Sequence, residues 1–310
     1  MTDSAPSTSL RTLGGTALRV SPISLGTSSL GNPAAGSGAD PVELAAMLLT
    51  GPFTVIDTSN NYAQGRSETA LGQAIAAHGL PADREIVTKV DADPDTGRFD
   101  RDRVWRSFEE STGRLGLDRL PLLHLHDPYT ITVEEAFGPG GAVRGLTELR
   151  DQGLVDAIGI AAGEVTMMTR YVAAGVFDVL LTHNRYTLVD RRAEALIEQA
   201  TELGMGVFNA APFGGGLLAG RGDRYAYRTS PPELLAWVDR VRRLCEEWGL
   251  TLPAVALWFS LRNPLVHSTI VGVNRPERLG QLQILYATTV QEEFWAALDA
   301  LGTPVSTLDD

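Results

Sequence analysis

Eight short apolar runs recur along the chain and alternate with longer stretches of helical spacing. They are ISLGT (23–27), FTVID (53–57), EIVTK (85–89), LLHLH (122–126), AIGIA (157–161), VLLTH (179–183), GVFNA (206–210) and STIVG (268–272). Segments between them, such as RSETALGQAIAAHG and RDRVWRSFEESTGRLG, space their apolar residues by three and four and stop at glycine. That is the pattern of amphipathic helices with a C-terminal glycine. Strands that alternate with helices run parallel, because each return needs a crossover. The runs are apolar on both faces, as strands covered on both sides are. Eight such units in 310 residues fit an α/β fold, the (β/α)₈ TIM barrel. An open doubly wound sheet is the alternative. Against it, GGTALR does not lead from a strand into a helix, and PFGGGLLAG has neither GxGxxG nor GxxxxGK[ST] spacing.

Ahead of the first run, LRTLGGTALRVSP alternates around Gly14-Gly15, which predicts a hairpin. Residues 1–9 read as a flexible tail, and 10–310 as one domain without a linker or composition shift. With 44% hydrophobic and 21% charged residues, a sizeable core is expected and disorder is not. A net charge of −12 without a Lys/Arg cluster argues against nucleic acid or an anionic membrane as a partner. The one cysteine, Cys245 in RRLCEEWG, has no partner for an internal disulfide and reads as a small hydrophobe on a helix. No apolar run approaches the ~20 residues that span a bilayer. MTDSAPSTSL lacks the basic start and apolar stretch of a signal peptide. A soluble, cytoplasmic protein is expected.

In a barrel of this kind chemistry collects at the C-terminal ends of the strands. The second run ends in Asp57, with Tyr62 in the loop beyond it. The third ends in Lys89, and the fourth carries His124 and His126, on one face by period-two alternation. Each has a structural alternative: Asp57 as a helix N-cap, Lys89 as a surface lysine, one histidine as a core residue bonded to backbone. Their convergence from three neighbouring strand ends favours a site. The chemistry is coherent as well. A phenol with a reference pKa of ~10 is a poor acid–base group at neutral pH. Burial raises it further, whereas a nearby ammonium lowers it. Asp57 would hold Lys89 charged, and an imidazole would aim a bound carbonyl at the phenol. No side chain here supplies a hydride, so a nicotinamide cofactor is implied. Trp105, Trp258 and Trp295 fall in helical patterns and read as packing residues, while Tyr129 and Tyr186 lie beyond strand ends and are candidates for the pocket wall.

LGGTALRVSPISLGTSSLG, IDTSNNYAQGRSETALGQAI, EIVTKV, LLHLHDP, AIGIA, NAAPFGGGLLAGR and STIVGVNRPERL, in that order, resemble the aldo-keto reductases over about residues 10–285. The resemblance implies a barrel whose N-terminal hairpin caps its bottom. It implies hydride transfer between NAD(P) and the carbonyl or alcohol of a small aldehyde, ketone or sugar. Asp57, Tyr62, Lys89 and His126 match the family's catalytic tetrad, with Tyr62 as general acid; His126 is preferred over His124 because it directly precedes Asp-Pro. Gly26, Thr27 and Asp57 would lie near the nicotinamide, with Asn184 beyond the sixth run. Ala211, Phe213, Gly214 and Gly215 belong to a glycine-rich turn that lets backbone approach a pyrophosphate. Gly272 and Arg278 would lie near the 2′-phosphate, and no metal is implied. The cofactor positions depart from the family pattern in several places. Ala161-Ala162 stand where Ser-Asn is usual, His183 or Asn184 where a Gln is common, Ala210 at the stacking Tyr, and Gly272 at a phosphate-pairing Lys. Arg278 matches the family Arg at that phosphate, with Arg275 beside it, so NADP is expected and NAD is the alternative. The stretch from RYTLVDRR to LLAG is most similar to the branch of aldose 1-dehydrogenases and pyridoxal 4-dehydrogenase. A non-catalytic regulatory protein on the same barrel, as in potassium-channel β subunits, is the alternative function, and the complete tetrad favours the enzyme. The expected partner is a small carbonyl compound or sugar, and the expected state a monomer or small homo-oligomer.

Overall fold

The computed structural model describes residues 9–35, 38–304 and 308. The tail expected at residues 1–9 lies, but for residue 9, outside them. Two short strands, β1 (Arg11–Thr12) and β2 (Arg19–Val20), pair antiparallel as the predicted hairpin. The chain then lays down β3 (Ile23–Gly26), β4 (Val55–Asp57), β5 (Glu85–Val90), β6 (Leu123–His126), β7 (Ile158–Ala162), β8 (Val179–His183) and β9 (Gly206–Ala210). A small antiparallel hairpin follows, β10 (Arg224–Tyr225) with β11 (Arg228–Thr229). The last strand, β12 (Ser268–Gly272), pairs parallel with both β9 and β3 and closes an eight-stranded barrel. Each of the eight apolar runs forms one barrel strand, and the open-sheet alternative falls.

Two apolar layers hold the barrel. Outside it, strands and helices share a continuous core. Inside it, Val55, Val87, Leu122, Val179, Phe208 and Ile270 pack with Leu13, Leu18 and Val20 of the hairpin. The hairpin therefore plugs the N-terminal end of the barrel with side chains that are each worth about 1.5–3 kcal/mol when buried. Gly14 makes the plug possible. Its φ is +53°, and a Cβ there would lie 2.2 Å from the backbone nitrogen of Gly206. With its bottom sealed, the barrel is open to small molecules at its C-terminal rim. Among the described residues no helix is long and apolar enough to cross a membrane.

Pairing sets the rim. Gly26 stands beside Asp57, Lys89 beside His124, and His126 beside Ala161. The helix Arg66–His78, which follows the turn after β4, is pressed onto the helix Arg101–Leu115. The contact is so close at Gly72 that a Cβ would lie 1.9 Å from the carbonyl oxygen of Arg114.

Gly72→Ala therefore lowers the melting temperature, although a helical Gly→Ala change normally stabilises by about 1 kcal/mol. Gly280→Ala, where a Cβ meets nothing within 4 Å, raises it. Thermal unfolding of the two variants checks the opposite signs.

Candidate active site

The segment from Asp57 to Glu68 leaves β4 and wraps over the barrel mouth, and almost every polar side chain in it is engaged. Asn60 holds the turn from three directions: its Nδ2 donates to the Ser107 carbonyl (3.2 Å) and Glu110 Oε2 (3.1 Å), and its Oδ1 accepts from Arg103 (3.0 Å). Gly65, at φ +81°, leaves room for the Arg114 guanidinium, which a Cβ would approach to 2.6 Å. Arg114 donates to the Asn60 carbonyl (2.8 Å) and to Glu68 (3.0 Å). Glu68 is fully buried and also accepts from Thr88 of β5 at 2.6 Å. Ser67 pairs with the hydroxyls of Thr58 and Thr27, each at 2.9 Å. This bonding fixes the loop that carries Tyr62.

At the rim, the Lys89 ammonium is 2.8 Å from each carboxylate oxygen of Asp57 and 2.6 Å from the Thr58 carbonyl. Both residues are buried, at 1% and 3% exposure. Lys89 Nζ lies 4.6 Å from the centre of the Tyr62 ring. The His126 ring meets that ring edge-on, with centroids 5.6 Å apart. Asp57, Tyr62, Lys89 and His126 line one cavity of about 440 Å³.

The charges settle as follows. Burial alone would lower the Lys89 ammonium, but Asp57 and Tyr62 hold it above its ordinary value. Burial raises the Asp57 carboxyl against the pull of Lys89. Burial also raises the Tyr62 phenol well above its ordinary range; Lys89 pulls it down, while Asp57 and Asp91 push it up. The expected acidifying effect of the ammonium is present but outweighed, so the phenol keeps its proton at neutral pH. His124 is fully buried on Gly159, where a Cβ would lie 2.2 Å from Nδ1. Burial holds its imidazole well below the ordinary value. It is a core residue, and His126 is the histidine that faces the cavity.

Asp127, Asn184 and Ala211, the first residues beyond β6, β8 and β9, all adopt left-handed backbone, with φ of +39°, +58° and +58°. Each still donates its N–H to the next strand, to Ala161 (2.9 Å), Ala210 (3.4 Å) and Ile270 (3.2 Å). The ladder thus runs one residue past the strand and the chain then turns off sharply. Such backbone costs about 1–3 kcal/mol per residue and clusters at functional sites. All three residues line the cavity.

Of the other residues singled out in the sequence, Gly26, Phe213, Gly215, Gly272 and Arg278 line the cavity. Thr27 and Gly214 do not. Thr27 is fully buried, with its hydroxyl on the Asp57 carbonyl (2.9 Å), and a Cβ on Gly214 would strike the Tyr225 ring at 2.3 Å. Arg278 lies over the Phe213 ring at 5.4 Å. Tyr186 is directed away from the cavity. It packs on Phe259 at 5.1 Å, accepts from Asn263 at 2.8 Å and lines a separate groove. Tyr129 is also outside the lining, its hydroxyl accepting from the Gly163 N–H at 3.0 Å. Three groups went unseen in the sequence. Asp91 bonds His126, Asp127 stands 3.5 Å from His183, and Arg221 lines the cavity near Arg278. Period-two spacing from Lys89 was the available signal for Asp91. Among the described residues no cluster of His, Cys, Asp or Glu could hold a metal.

Known proteins resemble this chain over most of its length. The Aldo/keto reductase family matches residues 22–303. Pyridoxal 4-dehydrogenase of Microbacterium luteolum is 30% identical, over 94% of this chain and 97% of its own length. D-threo-aldose 1-dehydrogenase of a Pseudomonas species is 32% identical, over 78% of this chain and 82% of its own length. Among solved structures, an aldo-keto reductase of Bacillus halodurans in its holo form superposes with a TM-score of 0.76 at 20% identity, covering 95% of this chain and 96% of that one.

Asp57→Ala leaves the Lys89 ammonium buried and unpaired, which costs about 3–5 kcal/mol of stability. Replacing both partners, as Asp57→Leu with Lys89→Met, recovers most of that loss. Urea unfolding of the two proteins measures the difference, and equal losses would contradict the pairing.

Proposed function

The chain belongs to the aldo/keto reductase family of oxidoreductases, and on that premise we propose that it moves a hydride between a nicotinamide dinucleotide and a small aldehyde or sugar. The carrying observation is the Tyr62 phenol set against an ammonium whose counter-charge is fixed, with an imidazole edge-on beside it.

The cavity suits a dinucleotide in three respects. Gly26 and Gly272 lie side by side on β3 and β12. A Cβ on Gly272 would meet no atom within 4 Å and would intrude into the cavity it lines. Asn184 lines the same space, and its Oδ1 is buried without a hydrogen-bond partner among the described residues. It is an acceptor suited to a carboxamide NH₂. Finally, partial burial lowers the Arg278 guanidinium, and the charges of Arg221 and Arg275 lower it further. Two cations on the cavity wall, Arg221 and Arg278, with the charge of Arg275 near them, suit an anion in a protein of net charge −12. A 2′-phosphate meets that need, which favours NADP over NAD.

A bound nicotinamide supplies or accepts the hydride. The protein's part is the proton and the orientation. In reduction Tyr62 gives its phenolic proton to the carbonyl oxygen, and Lys89 stabilises the phenolate left behind. Asp57 keeps Lys89 charged and in place. His126 donates a hydrogen bond to the same carbonyl oxygen and sets its angle to the phenol. Oxidation of an alcohol runs the proton the other way and needs the phenolate. Because burial raises the phenol, its acid form persists through neutrality and the base form appears only as pH climbs.

Three results test this reading. Tyr62→Phe loses about 10²–10⁴-fold in turnover of aldehydes and aldoses while NADPH still binds; full activity in that variant would exclude the proton donor. Alcohol oxidation accelerates from about pH 7 to 10, whereas carbonyl reduction does not, as the protonation state of a raised phenol requires. Arg278→Ala weakens NADPH binding by about tenfold or more and leaves NADH binding unchanged, as loss of a charge-assisted phosphate contact does. Equal weakening of both would remove the 2′-phosphate assignment.

A further inference from the structure

Asp91 lies just past β5, two residues beyond Lys89, and every oxygen it has is engaged. Its Oδ1 is 2.7 Å from His126 Nδ1. Its Oδ2 accepts from the Asn61 N–H at 3.0 Å and from the Ser59 hydroxyl, which itself lies 3.1 Å from His126 Nδ1. The backbone is pinned too: Arg103 Nε donates to the Asp91 carbonyl (2.9 Å), and the Asp91 N–H donates to Ser107 Oγ (3.2 Å). The residue is 8% exposed and does not line the cavity, so it does not touch a substrate.

We propose that Asp91 is a positioning residue that holds His126 with Nδ1 as donor to the carboxylate and Nε2 on the cavity side. An ionised carboxylate only accepts, so Nδ1 carries a proton. If the imidazole were neutral, Nε2 would then be a bare acceptor, unable to donate to a carbonyl oxygen. The role assigned to His126 above therefore requires a second proton, on Nε2. Asp91 makes that affordable by placing a fixed negative charge against the ring.

The groups around His126 agree on the sign. Burial lowers its imidazole, as does Lys89 on β5, but Asp91 and Asp127 outweigh them and hold it above its ordinary value. Asp127 Oδ2 stands 3.7 Å from Nε2. Asp57, Tyr62 and neutral His124 complete the surroundings. Asp91 is the reciprocal case: burial would raise its carboxyl, but the charge and hydrogen bond of His126, with Ser59 and Asn61, hold it below the ordinary range. A raised imidazole keeps its charge below its folded pKa and loses it as pH rises through that value, so the acid form of His126 reaches to higher pH than that of an ordinary histidine.

The inference rests on the oxidoreductase reading for its consequence, but its core can be tested without turnover. Long-range ¹H–¹⁵N correlation spectra of the ligand-free protein report both nitrogens of each of the five histidines, with His126 assigned by His126→Gln. In the wild type His126 carries protons on both nitrogens at neutral pH. In Asp91→Asn it loses one at a pH lower by about one unit or more. An unprotonated Nδ1 in the wild type, or an unchanged titration in the variant, overturns the proposal. If Asp91→Asn does not fold, the wild-type spectrum alone still decides the protonation of Nδ1. Kinetics with NADPH and glyceraldehyde then read the consequence. Asp91→Asn loses about ten- to a hundredfold in kcat/KM, the worth of one hydrogen bond to a charged group. Its alkaline limb moves to lower pH, NADPH binding is unchanged, and Asp91→Glu recovers part of the loss. A purely structural role would lower the melting temperature and leave the alkaline limb in place. If the wild type reduces neither glyceraldehyde nor any other aldehyde, the oxidoreductase reading falls while the spectra still decide the role of Asp91.

Discussion

An ammonium enclosed by a barrel must have its counter-charge beside it. Taking one ion out of water costs several kcal/mol even after the protein relaxes. Lys89 meets that cost with three acceptors for its three donors, both oxygens of Asp57 and the Thr58 carbonyl. The pairing dictates much of the rim. Asp57 must end its strand where it does, Thr58 must turn its carbonyl inward, and the loop that follows must stay put. The dense bonding of Asn60, Ser67, Glu68 and Arg114 keeps it there. Tyr62 is held against the ammonium by a loop with almost no freedom left.

From that pair outward, charges alternate. Asp57 is followed by Lys89, then the neutral phenol of Tyr62, then His126 between Asp91 and Asp127. Each cation has an anion against it, so a low-dielectric site tolerates several ionised groups at once. Elsewhere on the cavity wall stand Arg221 and Arg278, with the charge of Arg275 near them. Under the proposed function that imbalance would distinguish the two ends chemically: one would handle a proton, the other would take an anion.

The barrel was legible because its strands are the apolar runs, and burial on both faces leaves them no other reading. The helix Pro41–Thr50 was passed over although its start is plainly written, with Asp40 accepting from Val42 and Glu43 and proline at its first position. At the rim, Asp57, Tyr62, Lys89 and His126 could be picked out because polar residues at the ends of apolar strands are conspicuous. Tyr186 went the other way: position beyond a strand end does not say whether a side chain turns inward, and this one packs under the helix Leu252–Leu261. Asp91 looked like one of several acids in KVDADPD, and only its approach to His126 separates it from them. The acidity of Tyr62 was half legible. The neighbouring ammonium could be anticipated, but the weight of burial depends on the whole wall around the phenol.

Neutron diffraction from a deuterium-exchanged crystal at neutral pH would examine the central pair most directly, because it locates the protons themselves. The account predicts three deuterons on Lys89 Nζ, none on the Asp57 carboxylate and one on the Tyr62 hydroxyl. A deuterated Asp57 beside a neutral amine at Lys89 would contradict it.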